Sequence, residues 1–113
     1  DLVRRARAAG LPVTLHVEGA ATPLPAGADL TAYRVVQEAL AGAMRDGAAA
    51  GATVTVRYGA DAVDLEVVDD GSARPAPLGI AERVALYGGE LRMAISREGG
   101  QALRARLPFG SAP

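Results

Sequence analysis

The spacing of apolar residues changes period several times along the chain, and each change marks an element. Pro12-Val13-Thr14-Leu15-His16-Val17-Glu18 alternates strictly, with Val13, Leu15 and Val17 on one side, the signature of a half-buried strand. Thr53 to Tyr58 and Val63 to Val68 alternate in the same way, and Gly59-Ala60-Asp61-Ala62 joins them as a hairpin. Glu90 to Arg97 and Gln101 to Leu107 predict a second hairpin, turning at Glu98-Gly99-Gly100. Helical spacing fills the remainder. A short Arg-rich helix over Leu2 to Ala9 is closed by Gly10 and Pro12, and a long helix runs from Asp29 to Asp46. A third covers Leu78 to Tyr87, with Ile80, Val84 and Tyr87 on one face and Gly88-Gly89 as its terminator.

The long helix organises the rest. Asp29 is expected at its N-cap, accepting from unpaired first-turn amides, and Gly47 at its left-handed stop. At about 100° per residue, Leu30, Tyr33, Val36, Leu40 and Met44 gather on the arc expected to pack on a sheet. Arg34, Glu38, Gly42 and Arg45 fall nearly opposite. Such a stripe is ordinarily a solvated face, but it can also wall a ligand site. Gly19 to Gly27, Gly47 to Ala52 and the proline-bearing Ser72 to Pro77 read as connections, and Phe109 to Pro113 as a tail. Two strand pairs, one further strand and three helices in this order predict an α+β two-layer sandwich. Its mixed, mainly antiparallel sheet would be covered on one face by helices.

Composition narrows the chemistry. The 113 residues suffice for one domain with one core, spanning the whole chain. A start at Asp1 without a signal pattern leads us to expect a C-terminal piece of a longer protein. Half the residues are apolar, yet no run nears the roughly 18 needed to span a membrane. A net charge of −1 gives no basis for a nucleic-acid surface or a polybasic membrane patch. All 12 basic residues are Arg, which excludes lysine nucleophiles and Schiff bases. The absence of cysteine excludes disulfides, thiolate catalysis and cysteine-bound zinc.

Among the acids, Asp69 stands out. Strand parity puts it on the same face as Val63, Leu65 and Val67, toward the helix layer, while Asp70 points away. A carboxylate there is costly without a partner. It is ordinarily a strand-end residue capping a turn; a ligand amino group would also satisfy it. His16, the one histidine, lies between Leu15 and Val17 and is expected to face solvent beside Thr14 and Glu18.

The string Tyr33-Arg34-Val35-Val36-Gln37-Glu38-Ala39-Leu40-Ala41-Gly42-Ala43-Met44-Arg45 resembles the N box of sensor histidine kinases. These belong to the ATPase superfamily shared with gyrase, the heat-shock chaperone and mismatch-repair ATPases. Glu38 and Arg45 match that box, but Gly42 stands where it carries Asn. Asp69 and Gly71 match the superfamily's Asp-x-Gly-x-Gly box, with Ala73 at the last glycine. Gly79-Ile80-Ala81-Glu82-Arg83-Val84-Ala85-Leu86-Tyr87-Gly88-Gly89 resembles a run of the nitrate-sensor-like subgroup.

The resemblance implies a Bergerat-type ATPase fold that binds ATP with Mg2+ and passes the γ-phosphoryl to a histidine on a separate dimerisation hairpin. A response regulator then receives it. Asp69 and Gly71 would read adenine, Glu38 would orient or deprotonate the reacting group, and Arg45 and Gly79 would meet the phosphates. The resemblance also implies a cytoplasmic domain, whose parent can be membrane-anchored. The isolated piece is expected to be a monomer, because the family's dimer contacts lie in the hairpin and no long apolar surface stripe is visible. Gly42 cannot ligate magnesium, and Pro75 and Pro77 put no amides into a phosphate-binding lid, so weakened nucleotide binding is expected. Two other readings compete: a degenerate ATPase-like domain serving as an interaction or signal-relay module, and an anti-sigma-factor-like serine kinase.

Overall fold

The elements follow in the order α1 (Leu2–Ala8), β1 (Val13–Glu18), α2 (Ala26–Asp46), β2 (Ala52–Tyr58), β3 (Ala62–Asp69), α3 (Leu78–Tyr87), β4 (Glu90–Ile95) and β5 (Gln101–Pro108). The structure is a computed structural model and describes residues 2–21, 23–46, 49–72, 75, 78–95 and 100–109. Gly47, most of the Ala73–Pro77 stretch and the Glu98-Gly99 turn lie outside them. At the end of α3, the amide of Gly88 donates to the carbonyl of Ala85 at 3.0 Å and that of Gly89 to Val84 at 2.9 Å. With Gly88 at φ 94°, this is the paired C-terminal stop for which a residue without Cβ is suited.

The strands form one five-stranded sheet in the order β1-β2-β3-β5-β4. β1 and β2 are parallel, and the other three pairs are antiparallel. A parallel pair needs a long crossover, and α2 carries it, which brings that helix over the sheet. Strand alternation decides the two faces. Val63, Leu65 and Val67 of β3 and Leu103, Ala105 and Leu107 of β5 are all buried under the helices. The opposite face carries a ladder of ion pairs: Arg57–Glu18 at 3.0 Å, Arg104–Glu66 at 2.6 Å and Arg106–Asp64 at 3.0 Å. The bond from Arg57, and then its charge, hold the Glu18 carboxyl below its ordinary range. These pairs are solvated, so their value is register and solubility more than stability.

The long helix differs from its expected form in two ways. It starts at Ala26, where the amide of Asp29 already donates to the Pro25 carbonyl at 2.9 Å, so Asp29 is inside the first turn and not the cap. Its buried face also lies elsewhere on the helix. Val36 and Leu40 are buried as expected, but Leu30, Tyr33 and Met44 are 50%, 42% and 40% exposed. The residues that meet the core are Ala28, Val35, Ala39 and Ala43, and Gly42 is buried with them. Small residues let the helix axis approach the sheet closely, whereas bulky ones are pushed to the margin. Because α2 packs mainly over β3 and β5, the β1 side is thinly covered. Val13 is buried there, but Leu15 and Val17 of this edge strand remain about half exposed. Leu15 lines an apolar groove with Leu2, Leu24, Tyr33 and Tyr58, which replaces the expected absence of such a surface.

Candidate functional site

At the C-terminal end of β3 the alternation of its buried face ends on a charge. Asp69 is 4% exposed and stands in line with Val63, Leu65 and Val67. One carboxylate oxygen accepts from the Gly71 amide at 2.9 Å, so the turn-capping role of a strand-end Asp is fulfilled. Gly71 is buried beside it.

Asp70 points out of the sheet, yet it is not idle. Its Oδ1 accepts from the amides of Ala50 at 2.7 Å and Gly51 at 3.0 Å. Those two bonds, Gly51 first, hold its carboxyl below the ordinary aspartate range. They also tie the loop leaving α2 to the turn that carries Asp69. The C-terminal half of α2, with Glu38, Gly42 and Arg45, is thereby kept at the same end of the sheet as Asp69.

On that half-helix Glu38 is partly buried, Gly42 buried and Arg45 exposed. Glu38 and Arg45 form no ion pair with each other among the described residues. They are two turns apart, about 10 Å along the axis, and Arg45 extends into solvent. Gly79 is the second residue of α3, exposed, with open space where a side chain would stand. No acidic residue occupies the first turn of α3, so a ligand phosphate would meet no like charge there. α3 packs against α2, which completes the far wall. Pro75 is exposed, and the rest of the lid stretch is outside the described residues.

Two neighbours of Asp69 escaped sequence reasoning. Gln101 is its partner in the β3–β5 register and is 6% exposed, on the same buried face as Leu103, Ala105 and Leu107. A polar residue at an apolar parity position was the available signal. Gly100 lies so close that a Cβ there would overlap the Asp69 carbonyl oxygen. His16, by contrast, is an exposed strand residue, as its parity implied.

The chemistry of this donor set fits the base of an adenine nucleotide, with an acceptor, Asp69, buried where an amino group would otherwise meet apolar side chains. It does not fit a magnesium ion at the resemblance's ligand position, because Gly42 has no side-chain donor. Among the described residues no cluster of three or more His or acidic side chains offers another metal site.

No family model matches the chain. The sensor histidine kinase LnrJ of Bacillus subtilis (strain 168) is 33% identical over 109 residues, which cover 91% of this chain and 27% of that protein. The ATP-binding domain of PrrB from Mycobacterium tuberculosis is 25% identical and superposes with a TM-score of 0.67 over 97% of this chain and 92% of its own. The catalytic domain of the histidine kinase ThkA superposes at 0.75 over 98% of this chain and 93% of its own, and its 15% identity speaks for the fold alone. The fold is that of histidine kinase ATP-binding domains, which belong to the gyrase, heat-shock chaperone and mismatch-repair type of ATPase. Within that class the chain is similar to the ATP-binding catalytic domains of sensor histidine kinases. It spans about a quarter of the length of the curated relative it matches.

Proposed function

We propose that this domain binds adenine nucleotide and serves the phosphoryl-transfer step of a bacterial two-component sensor kinase. Asp69 accepts from the exocyclic amino group of adenine, with Gly71 giving the base a close approach. Arg45 and the first turn of α3 at Gly79 meet the phosphates. Glu38 orients an imidazole on the dimerisation hairpin and takes its proton as the γ-phosphoryl moves to the ring nitrogen and ADP leaves. Catalysis of this kind rests on positioning and on stabilising charge. A response regulator is the next acceptor. The domain works in the cytoplasm, its parent anchored in the membrane or not. Among the described residues no helix is long and apolar enough to cross a membrane.

The observation that carries this reading is the buried Asp69 carboxylate closing β3 beneath the helix layer. Binding should be weak and nearly independent of magnesium. The base end is intact, whereas Gly42 supplies no metal ligand and Pro75 and Pro77 no lid amides. Losing even an outer-shell metal partner typically costs about 10–100-fold in affinity, and losing a direct ligand should cost at least that. ATP and ADP should therefore bind alike, on the order of high micromolar or weaker. Calorimetry with ATP and ADP, with and without magnesium, tests this. A strong preference for Mg-ATP over ADP would return the domain to the fully equipped kinases, and no binding of either would remove the nucleotide reading.

A further inference from the structure

We propose that the open edge of β1 is a docking site for an extended segment of another protein, which adds to the sheet as a sixth strand and carries a basic residue opposite Glu18. The inference is independent of the nucleotide reading. β1 is one of the two outer strands of the sheet, and five of its six residues are exposed. Its backbone shows which groups are open. The Ala52 amide donates to the Pro12 carbonyl at 2.9 Å, so in this parallel ladder the backbone groups of Pro12, Thr14, His16 and Glu18 turn toward β2. Those of Val13, Leu15 and Val17 turn outward. The Val13 carbonyl accepts from Arg7 Nε at 2.9 Å, while no described residue bonds the outward groups of Leu15 and Val17.

Sheet edges are normally guarded by charge, proline, a bulge or a covering element. The other edge, β4, is guarded: α3 packs against it, and Glu90 and Arg92 stand on it as an ion pair. β1 has no proline, arginine or lysine within Val13–Glu18, and its register with β2 runs without a bulge. Leu15 and Val17, on the covered face, are about half exposed, and an added strand would bury them. Charge on the outer face names the partner. Glu18, Arg57, Asp64, Arg106 and Glu90 are successive register partners across all five strands, and their signs alternate from edge to edge. Glu18 ends that row with half its side chain still exposed, so the next strand continues it with a cation. Residues opposite Leu15 and Val17 share their face and are apolar. A second copy does not meet this pattern, because its β1 brings no arginine or lysine and its β4 is guarded.

The test uses the 113-residue chain and short blocked peptides of alternating threonine and valine with one terminal arginine, placed first or last for an antiparallel or a parallel strand. Matched peptides carry glutamate in place of the arginine. On saturation with an arginine peptide, hydrogen exchange followed by NMR should slow at the Leu15 and Val17 amides. The Thr14 and His16 amides, already turned to β2, should change little. The arginine peptide should bind about 2- to 5-fold more tightly than its glutamate match, the scale of one exposed cross-strand pair. Glu18→Arg should reverse that order; should this variant not fold, Glu18→Gln should erase it. Binding that leaves the Leu15 and Val17 amides unprotected would mean docking in the groove and overturn strand addition. Equal affinity for the matched peptides, or no binding of any of them, overturns the proposal as well. Protection of the same amides without peptide, together with a dimer by light scattering, would make a second copy the occupant and overturn it too.

Discussion

Asp69 and Asp70 are chemically identical and adjacent, and one step of strand alternation separates their roles. Asp69 ends the buried face and Asp70 leaves it, bonded to the Ala50 and Gly51 amides. Asp69→Asn keeps an oxygen that can accept from Gly71, so the turn should survive. Under the proposed function the variant should lose a charge-assisted bond to the base, worth about 1.5–3 kcal/mol, and with it adenine-dependent stabilisation in a thermal-shift series. Asp70→Asn should lower the melting temperature and leave the nucleotide shift intact; equal effects of the two changes on that shift would reverse the face assignment. The pH dependence has a definite sign. A carboxyl held lower in the folded state stabilises above its ordinary value of 3.8, and that contribution is lost as pH falls through the depressed folded value. Melting temperatures of the unmodified protein and Asp70→Asn should therefore converge on acidification below that point.

At the level of elements, α2 carries two demands that meet at Gly42. The helix must lie close to β3 and β5, which its small buried residues permit, and under the proposed function its C-terminal half must also wall the site. A glycine inside a helix costs about 0.5–1 kcal/mol relative to alanine, so Gly42 is a weak point of the helix by propensity. Asn restores a side-chain oxygen there, but it cannot give amides to Pro75 or Pro77. Gly42→Asn should thus fold and still show no more than a few-fold gain in Mg-ATP affinity over the unmodified chain. Calorimetry showing tight Mg-ATP binding by the single variant would mean that the metal ligand alone had been missing.

For the whole molecule, the uneven cover of the sheet matters most. Leu15 and Val17 of β1 are about half exposed, and so are Leu30 and Tyr33 of α2. Four half-exposed side chains make a patch of the kind ordinary monomers carry, whereas a stable interface needs roughly 800 Å² per partner. The isolated domain should therefore be monomeric at micromolar concentration by light scattering, despite the groove. A stable dimer that Tyr33→Ser or Leu15→Ser dissolves would show that this face self-associates.

The sequence by itself determined the elements, because period and punctuation are local. Strand alternation, the Gly59–Ala62 turn and the Leu78–Tyr87 helix with its Gly88-Gly89 stop all depend on near neighbours. It also determined the face of Asp69, since parity needs no tertiary information. What it misjudged was the buried arc of α2, where side-chain bulk pointed to Leu30, Tyr33 and Met44 while close approach to the sheet selected Ala28, Val35, Ala39 and Ala43. Which neighbour lies across from which residue was beyond it altogether. The register that sets Gln101 opposite Asp69, the Asp70 bonds to the loop after α2, and the thin cover over β1 join residues 19 or more positions apart or depend on how one layer seats on another. Such pairings are decided by the core as a whole, and only the tertiary structure contains them.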